Sequence, residues 1–570
     1  MESVRHYIEE GILYEPVIPD IHDWPLARLF RDKQGFLRQV REDALMQLRQ
    51  EAQRDHISLS DLVERTMFLE RHRMTEDPWK VDPPDERKFW GQIKRELVAY
   101  ERETHGPQEL ADRSMAMLER IVDRYANEIV TDFVPASYHF AKRFLPLFFS
   151  TLLNASAGKT LKSVINHSVQ LQERVHLMGE TAALRNLASK GTIVLVPTHL
   201  SNMDSILVGW GLHALGMPAF IYGAGLNLFN YPVVPFFMRR LGAYKVDRRK
   251  RNPVYRSTLD AYSTISILEG VHSLFFPGGT RSRSGSIEKK LKLGLLGTAV
   301  EAQRRNFLAP PKSGSEKIFV VPLVMSYHFV LEAASLINQH LTSTGQEQYY
   351  LVNDEFANYR KFLKFVWTTF SQSSEIVLAF GKPMDVFGNF VDENGNSFDP
   401  HGHPVQIREY FMTRGEIRED AQRDAEYTRM LGEKLVERYH VENHVFSSHV
   451  VAFAAFQLFM QKYGWLDLYG VLRLPEEERL LDGETFRAAV DRVLEALRGL
   501  ADAGKVHLAR HLINDTATII EHGIKNLGIY HAQRPLKFHD EFSFASDSMN
   551  LLYYYHNRLT GYGLEKYFRA

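Results

Sequence analysis

Gly191-Thr192-Ile193-Val194-Leu195-Val196-Pro197-Thr198-His199-Leu200-Ser201-Asn202-Met203-Asp204 is the stretch on which the reading of this chain turns. Residues 192–196 are a continuous apolar run between Gly and Pro, the pattern of a parallel strand buried on both faces. Ser201 or Asn202 is placed to cap a helix through Ile206, Leu207 and Trp210. His199 then falls in the loop at the carboxyl end of a strand, where open α/β sheets put their ligands. Asp204, one turn into the helix, is positioned to fold back on one imidazole nitrogen. The other nitrogen is left to take a proton from a hydroxyl. Ser205 follows, but no Gly-x-Ser-x-Gly elbow surrounds it, so the reading is histidine acting as base rather than serine as nucleophile.

Working outward, the chain has 570 residues, a length for about two or three domains. It is 44% hydrophobic and 24% charged, with a formal net charge of -1. That balance gives no global field to recruit nucleic acid, so any basic surface must be local. With 0 cysteines, disulfides, thiol catalysis and Cys-ligated zinc are excluded. The first ten residues lack an apolar signal-peptide region. No run approaches the roughly 18–20 apolar residues of a membrane-spanning helix; the nearest are 144–153 and 318–331. A peripheral or soluble protein is the expectation.

Residues 1 to about 135 read as charged amphipathic helices, with apolar residues at three-and-four spacing over 36–48 and 87–129. Pro78, Pro83 and Pro84 interrupt them. Residues 138–153 admit two readings: a buried helix starting near Pro146, or an interfacial segment with Lys142 and Arg143 near lipid headgroups. Residues 161–187 read as helix. From 191 onward helix and strand alternate for about 200 residues, which argues α/β with a largely parallel sheet. The expected strands are 218–223, 242–247, 273–276, 318–324 and 375–380, with helices at 254–268 and 289–302.

Two of those strands end in cations. One runs into Asp247-Arg248-Arg249-Lys250-Arg251, the other into Pro277-Gly278-Gly279-Thr280-Arg281-Ser282-Arg283. Paired glycines let backbone pass close to a ligand, and guanidinium forks match phosphate oxygens. No Walker A pattern is present. Both clusters belong at strand ends on the side of His199, which makes a phosphate pocket beside a base: equipment for a phosphorylated polyol.

These elements in this order resemble the glycerol-3-phosphate and dihydroxyacetone-phosphate acyltransferases of the wider glycerolipid acyltransferase superfamily. The blocks are His199-x4-Asp204, residues 242–248, Phe276 to Arg283, and Val321-Pro322-Leu323-Val324. The tail is similar to the glycerol-3-phosphate branch over 443–460, 485–504 and 551–557. The resemblance implies an α/β fold: a mostly parallel central sheet flanked by helices, with helical N- and C-terminal regions. The expected divisions are a helical 1–160, a catalytic 161–390 and a helical 391–570.

It further implies acyl transfer from acyl-CoA or acyl-carrier-protein to the sn-1 hydroxyl of glycerol 3-phosphate, with His199 as base and Asp204 orienting it. Arg248, Gly279, Thr280, Arg281 and Arg283 would hold the phosphate; no cofactor, metal or nucleic acid enters. The site of action implied is the cytoplasmic face of a membrane, bound peripherally. Two residues depart from the family pattern. Gly278 stands where the third block carries Glu, and Lys245 and Asp247 stand in the second block, Asp247-Arg248 being more like the lysophosphatidate branch. They leave lysophosphatidate or dihydroxyacetone phosphate as alternative acceptors, and a catalytically silent lipid-binding or scaffold relative as the reading from another class.

Beyond residue 385 the chemistry fades. Asn394-Gly395 reads as a hairpin turn rather than a calcium loop, since the twelfth-position glutamate is missing. Asp399, His401 and His403 read as a solvated loop rather than a metal site. Helices are expected over 420–439, 450–463 and 486–497, the last ending near Gly499.

Overall fold

Residues 191–197 lie inside a seven-stranded sheet. The computed structural model describes residues 14–79, 81–102, 107–141, 175–225, 238–309, 316–344, 375–529 and 531–568. The strands are β1 (Val175–Gly179), β2 (Gly191–Pro197), β3 (Ile221–Gly225), β4 (Ala243–Val246), β5 (Ser273–Leu274), β6 (Lys317–Tyr327) and β7 (Ile376–Phe380). Their order is β1-β7-β6-β2-β5-β3-β4. Every neighbouring pair is parallel except β6 and β7. β2, β4, β5 and β6 therefore run the same way, and the loops that leave them open on one edge of the sheet.

The helices are α1 (Pro25–Arg31), α2 (Lys33–Arg54), α3 (Leu59–Glu76), α4 (Glu86–Arg102), α5 (Pro107–Ile129), α6 (Thr181–Ala188), α7 (Asp204–Ala214) and α8 (Pro253–Leu268). There follow α9 (Gly294–Leu308), α10 (Ala333–Thr344), α11 (Ala421–Val441), α12 (Ser447–Lys462), α13 (Leu468–Leu472), α14 (Gly483–Asp502), α15 (Thr516–Asn526) and α16 (Met549–His556).

Side-chain alternation along β2 buries both faces, as a strand of period two must when helices cover each side. Ile193 and Leu195 join one core with Leu207, Phe453, Leu552 and the rest of the C-terminal helices. Val194 and Val196 join another with Leu296, Val300, Leu431 and Leu435. α12 is apolar on nearly all sides and buried from Ser447 through Phe456, as befits a helix enclosed by others. The N-terminal helices share a third core with α8 and with Ile221 and Tyr244 of β3 and β4, through Phe36, Val63, Trp90, Leu118 and Tyr125.

Several local expectations change. Residues 175–179 are a strand rather than helix, because they pair with β7; 161–174 lie outside the described residues, as do 142–153 and 230–237. The helix expected from 289 starts at Gly294. α4 and α5 divide the run 87–129. α14 passes Gly499 and ends at Asp502. Neither Ser201 nor Asn202 caps α7; Met203 holds that position without a side-chain bond. Asn394-Gly395 does turn a hairpin between 390–391 and 397–398, with Gly395 at φ 81°.

The tail reaches the loop after β5. A Cβ on Gly285 (φ 82°) would lie 2.2 Å from the Tyr554 carbonyl oxygen of α16, and Asn557 Nδ2 donates to the Ser284 carbonyl at 2.9 Å. Gly402 has the same left-handed backbone (φ 85°) and nothing within 4 Å. Gly402→Ala is expected to cost only the backbone term, about 1 kcal/mol. Gly285→Ala adds a backbone clash and is expected to cost ~3 kcal/mol or more. Urea unfolding midpoints check this; equal shifts would show that α16 does not press on the loop.

Candidate active site

Backbone geometry at the end of β2 explains how Asp204 finds His199. The first residue of α7 presents its carboxylate back along the loop, and four donors converge on it. Oδ2 accepts from the His199 ring Nδ1 at 2.8 Å and from the backbone N–H groups of Leu200 at 2.7 Å and Ser201 at 2.9 Å. Oδ1 accepts from the Tyr327 hydroxyl at 2.6 Å. Asp204 thus pins the loop that leads into α7, while the helix start itself has no side-chain cap. A carboxylate only accepts, so Nδ1–H is the donor, and in a neutral imidazole the lone pair then sits on Nε2. Burial and the Asp204 charge hold Tyr327 well above the usual phenol range, so it remains a donor. The His199 side chain is 15% exposed while Asp204 is fully enclosed. Phe276 stacks on the imidazole at 4.2 Å between centroids.

The loop after β5 is bonded to this one directly. Ser282 N–H donates to the His199 carbonyl at 2.7 Å. Arg281 Nη1 donates to Glu332 Oε1 at 3.0 Å. Glu332, just past β6, also accepts from Asn202 N–H and the Ser201 hydroxyl, each at 3.0 Å. One buried carboxylate therefore ties the guanidinium to the turn that follows His199. Burial raises the Glu332 pKa and the Arg281 charge opposes it.

Arg248 comes from the end of β4. Burial and then the positive charge of Arg281 lower its pKa, which places the two guanidiniums within each other's field. By surface area Arg248 is nonetheless exposed, and among the described residues it makes no hydrogen bond or ion pair. Its neighbours are engaged elsewhere. Arg249 binds Asp82 and Asp247 and lies 4.4 Å over the Trp79 ring; Lys250 binds Glu128. Asn252, which caps α8, donates to Glu70 of α3, and Glu70 pairs with buried Arg73 at 2.9 Å. The N-terminal helices thus neutralise the middle of the cation run and leave Arg248 over. Asp247 spends its oxygens on Arg249.

Of the remaining predicted ligands, Gly279 makes the tight turn at φ 74°, and a Cβ there would meet Lys292 at 2.6–3.0 Å. Thr280 is exposed. Arg283 is also exposed, and its charge helps to lower the His340 pKa, after burial, so it faces α10.

Tyr327, Glu288, Glu332 and Lys292 were not singled out from sequence. Each reaches the site across a sequence separation that periodicity does not report. Only Glu332 had a positional signal, being a lone acid directly after an apolar strand exit. Asp399 accepts from the 401 and 403 backbone N–H groups and from the His403 ring at 3.2 Å, an exposed turn. His328, His511 and His522 bring ring nitrogens within 4.8 Å of one another. However, His511 Nε2 accepts Ser447 N–H and its Nδ1 faces Glu375, so that ring has no lone pair for a metal.

The family model described as Acyltransferase matches residues 180–326. The chain carries an acyltransferase domain. Similar curated proteins include the glycerol-3-phosphate acyltransferase of Pseudomonas putida (strain KT2440), 25% identical over 52% of this chain and 31% of that protein. That of Aeromonas hydrophila is 28% identical over 43% of this chain and 27% of that protein. The chain thus spans under a third of the length of these relatives. The crystal structure of the 1-acyl-sn-glycerophosphate (LPA) acyltransferase PlsC from Thermotoga maritima matches 53% of this chain and 92% of its own at 14% identity, with a TM-score of 0.24, too low to argue from.

His199, Asp204, Arg248 and Arg281 all fall within the acyltransferase domain, whereas Tyr327 and Glu332 lie just past its matched end. Tyr327→Phe removes one donor to Asp204 with little change in volume. It is expected to lower kcat for acyl transfer about tenfold and leave the acceptor KM near wild type. Free-thiol release under saturating acceptor measures this; an unchanged kcat would show that the hydroxyl does not hold the pair.

Proposed function

We propose that this chain is a glycerol-3-phosphate 1-O-acyltransferase, taking the acyl group from acyl-CoA or acyl-carrier-protein and acting in phospholipid synthesis. The observation that carries the reading is His199, fixed on Asp204, sharing one sheet edge with Arg248 and Arg281. The phosphate of the acceptor pairs with the two guanidiniums, which relieves their mutual repulsion. The sn-1 hydroxyl then reaches His199 Nε2. As that nitrogen takes the proton, the hydroxyl oxygen bonds to the thioester carbonyl carbon. The tetrahedral intermediate collapses by breaking the carbon–sulfur bond, and the thiolate recovers the proton from His199. The nucleophile is the substrate itself, as in a Ser-His-Asp arrangement with the serine replaced by an alcohol.

The three divisions then have distinct tasks. Residues 1–160 hold the Arg248 loop, 161–390 carry the chemistry, and 391–570 brace the Arg281 loop. The product is a lipid, so the working place is a membrane surface at its cytoplasmic face. No helix among the described residues is long and apolar enough to cross a membrane.

The test uses the purified chain with lipid or detergent, one acyl thioester, and a panel of glycerol 3-phosphate, dihydroxyacetone phosphate and lysophosphatidate. Thiol release should be fastest with glycerol 3-phosphate, and His199→Ala should reduce it by about 10²–10⁴-fold without unfolding the protein. Preference for another acceptor would reassign the substrate. Turnover that survives His199→Ala, or binding with no turnover by the wild type, would overturn the enzyme reading.

A further inference from the structure

We propose that Glu288 is a positioning residue for His199, its carboxylate filling the space that a side chain on residue 278 would occupy. This rests on the reading of His199 as the base. Glu288 Oε1 accepts the backbone N–H of His199 at 2.8 Å, so the carboxylate holds the residue that carries the imidazole. A Cβ on Gly278 would stand 3.1 Å from Glu288 Cγ and 3.3 Å from Oε1; its next neighbour, the Thr280 carbonyl oxygen, is at an ordinary 3.5 Å. Gly278 is not among the glycines with positive φ, so its backbone admits any residue. The neighbour that would have to shift, by a few tenths of an ångström, to admit a side chain is Glu288.

The intervening turn is built to bring the two together. Ser282 Oγ donates to the Ser286 carbonyl at 2.7 Å, Ser284 and Ser286 share a hydroxyl bond at 2.8 Å, and Ile287 is 1% exposed. The second carboxylate oxygen, Oε2, is buried without a partner among the described residues, and so is Nη1 of Arg558. Burial raises the Glu288 pKa, while the backbone bond from His199 and then the charge of Arg558 pull it back. An apolar side chain here would leave the His199 N–H without its acceptor. A half-satisfied buried carboxylate against the base is the kind of arrangement retained at working sites.

A swap tests this in the full chain. The variants are Glu288→Ala, Glu288→Gln, Gly278→Glu and the double Gly278→Glu/Glu288→Ala. Thiol-release kinetics and hydrogen exchange of the 198–204 segment are the two readouts. Glu288→Ala is expected to lower kcat about 10–100-fold with the acceptor KM within about twofold, and to speed exchange at His199. Glu288→Gln keeps an accepting oxygen and should stay within about fivefold of wild type. Gly278→Glu alone should be impaired by the collision with Glu288, whereas the double variant should recover at least about tenfold over Glu288→Ala and restore slow exchange.

Wild-type kcat and exchange in a folded Glu288→Ala protein would overturn the inference. So would a folded double variant no better than Glu288→Ala, or, should Glu288→Ala not fold, a Gln variant with fast exchange at His199. Failure of the underlying reading looks different: turnover that survives His199→Ala, or wild-type protein without turnover. The exchange measurement still decides whether Glu288 holds the loop in that case.

Discussion

The shared direction of β2, β4, β5 and β6 is the constraint on which the rest depends. Parallel strands deliver their exits to one edge, and here those exits carry His199, Arg248, Arg281 and Glu332. Two guanidiniums on one edge repel each other, and buried carboxylates hold that edge together. Asp204 accepts from the His199 ring and three further donors, and Glu332 bonds both Arg281 and the turn after His199. Each acid is enclosed, so its hydrogen bonds act in a low-dielectric setting where they hold geometry strongly.

The regions outside the sheet do specific physical work on that edge. α3, α4 and α5 supply Glu70, Glu86 and Glu128 to the loop after β4, with Asp82 between α3 and α4. They pair with Arg249 and Lys250 and leave Arg248 of that run facing Arg281. From the other end, α16 presses on Gly285 and Asn557 holds Ser284, which fixes the turn whose N–H reaches His199.

Much of this was legible in the sequence because the signals are local. An apolar run between Gly and Pro marks β2, and His-x4-Asp spans one loop and one helical turn. Paired glycines before Arg281 announce a close turn. The antiparallel entry of β7 was not legible, since it depends on where a distant segment docks. Nor were Tyr327, Glu288 and Glu332, whose contacts cross 123, 89 and 130 residues. Ser201 misled because its hydroxyl bonds Glu332, across 131 residues, and α7 starts at Asp204 without a side-chain cap.

The most direct measurement is a crystal structure of the chain with glycerol 3-phosphate bound. The expected result has phosphate oxygens within about 3 Å of both Arg248 and Arg281 and the primary hydroxyl about 2.6–3.2 Å from His199 Nε2. A phosphate held away from those two arginines, or a hydroxyl separated from the imidazole by packed side chains, would contradict the account.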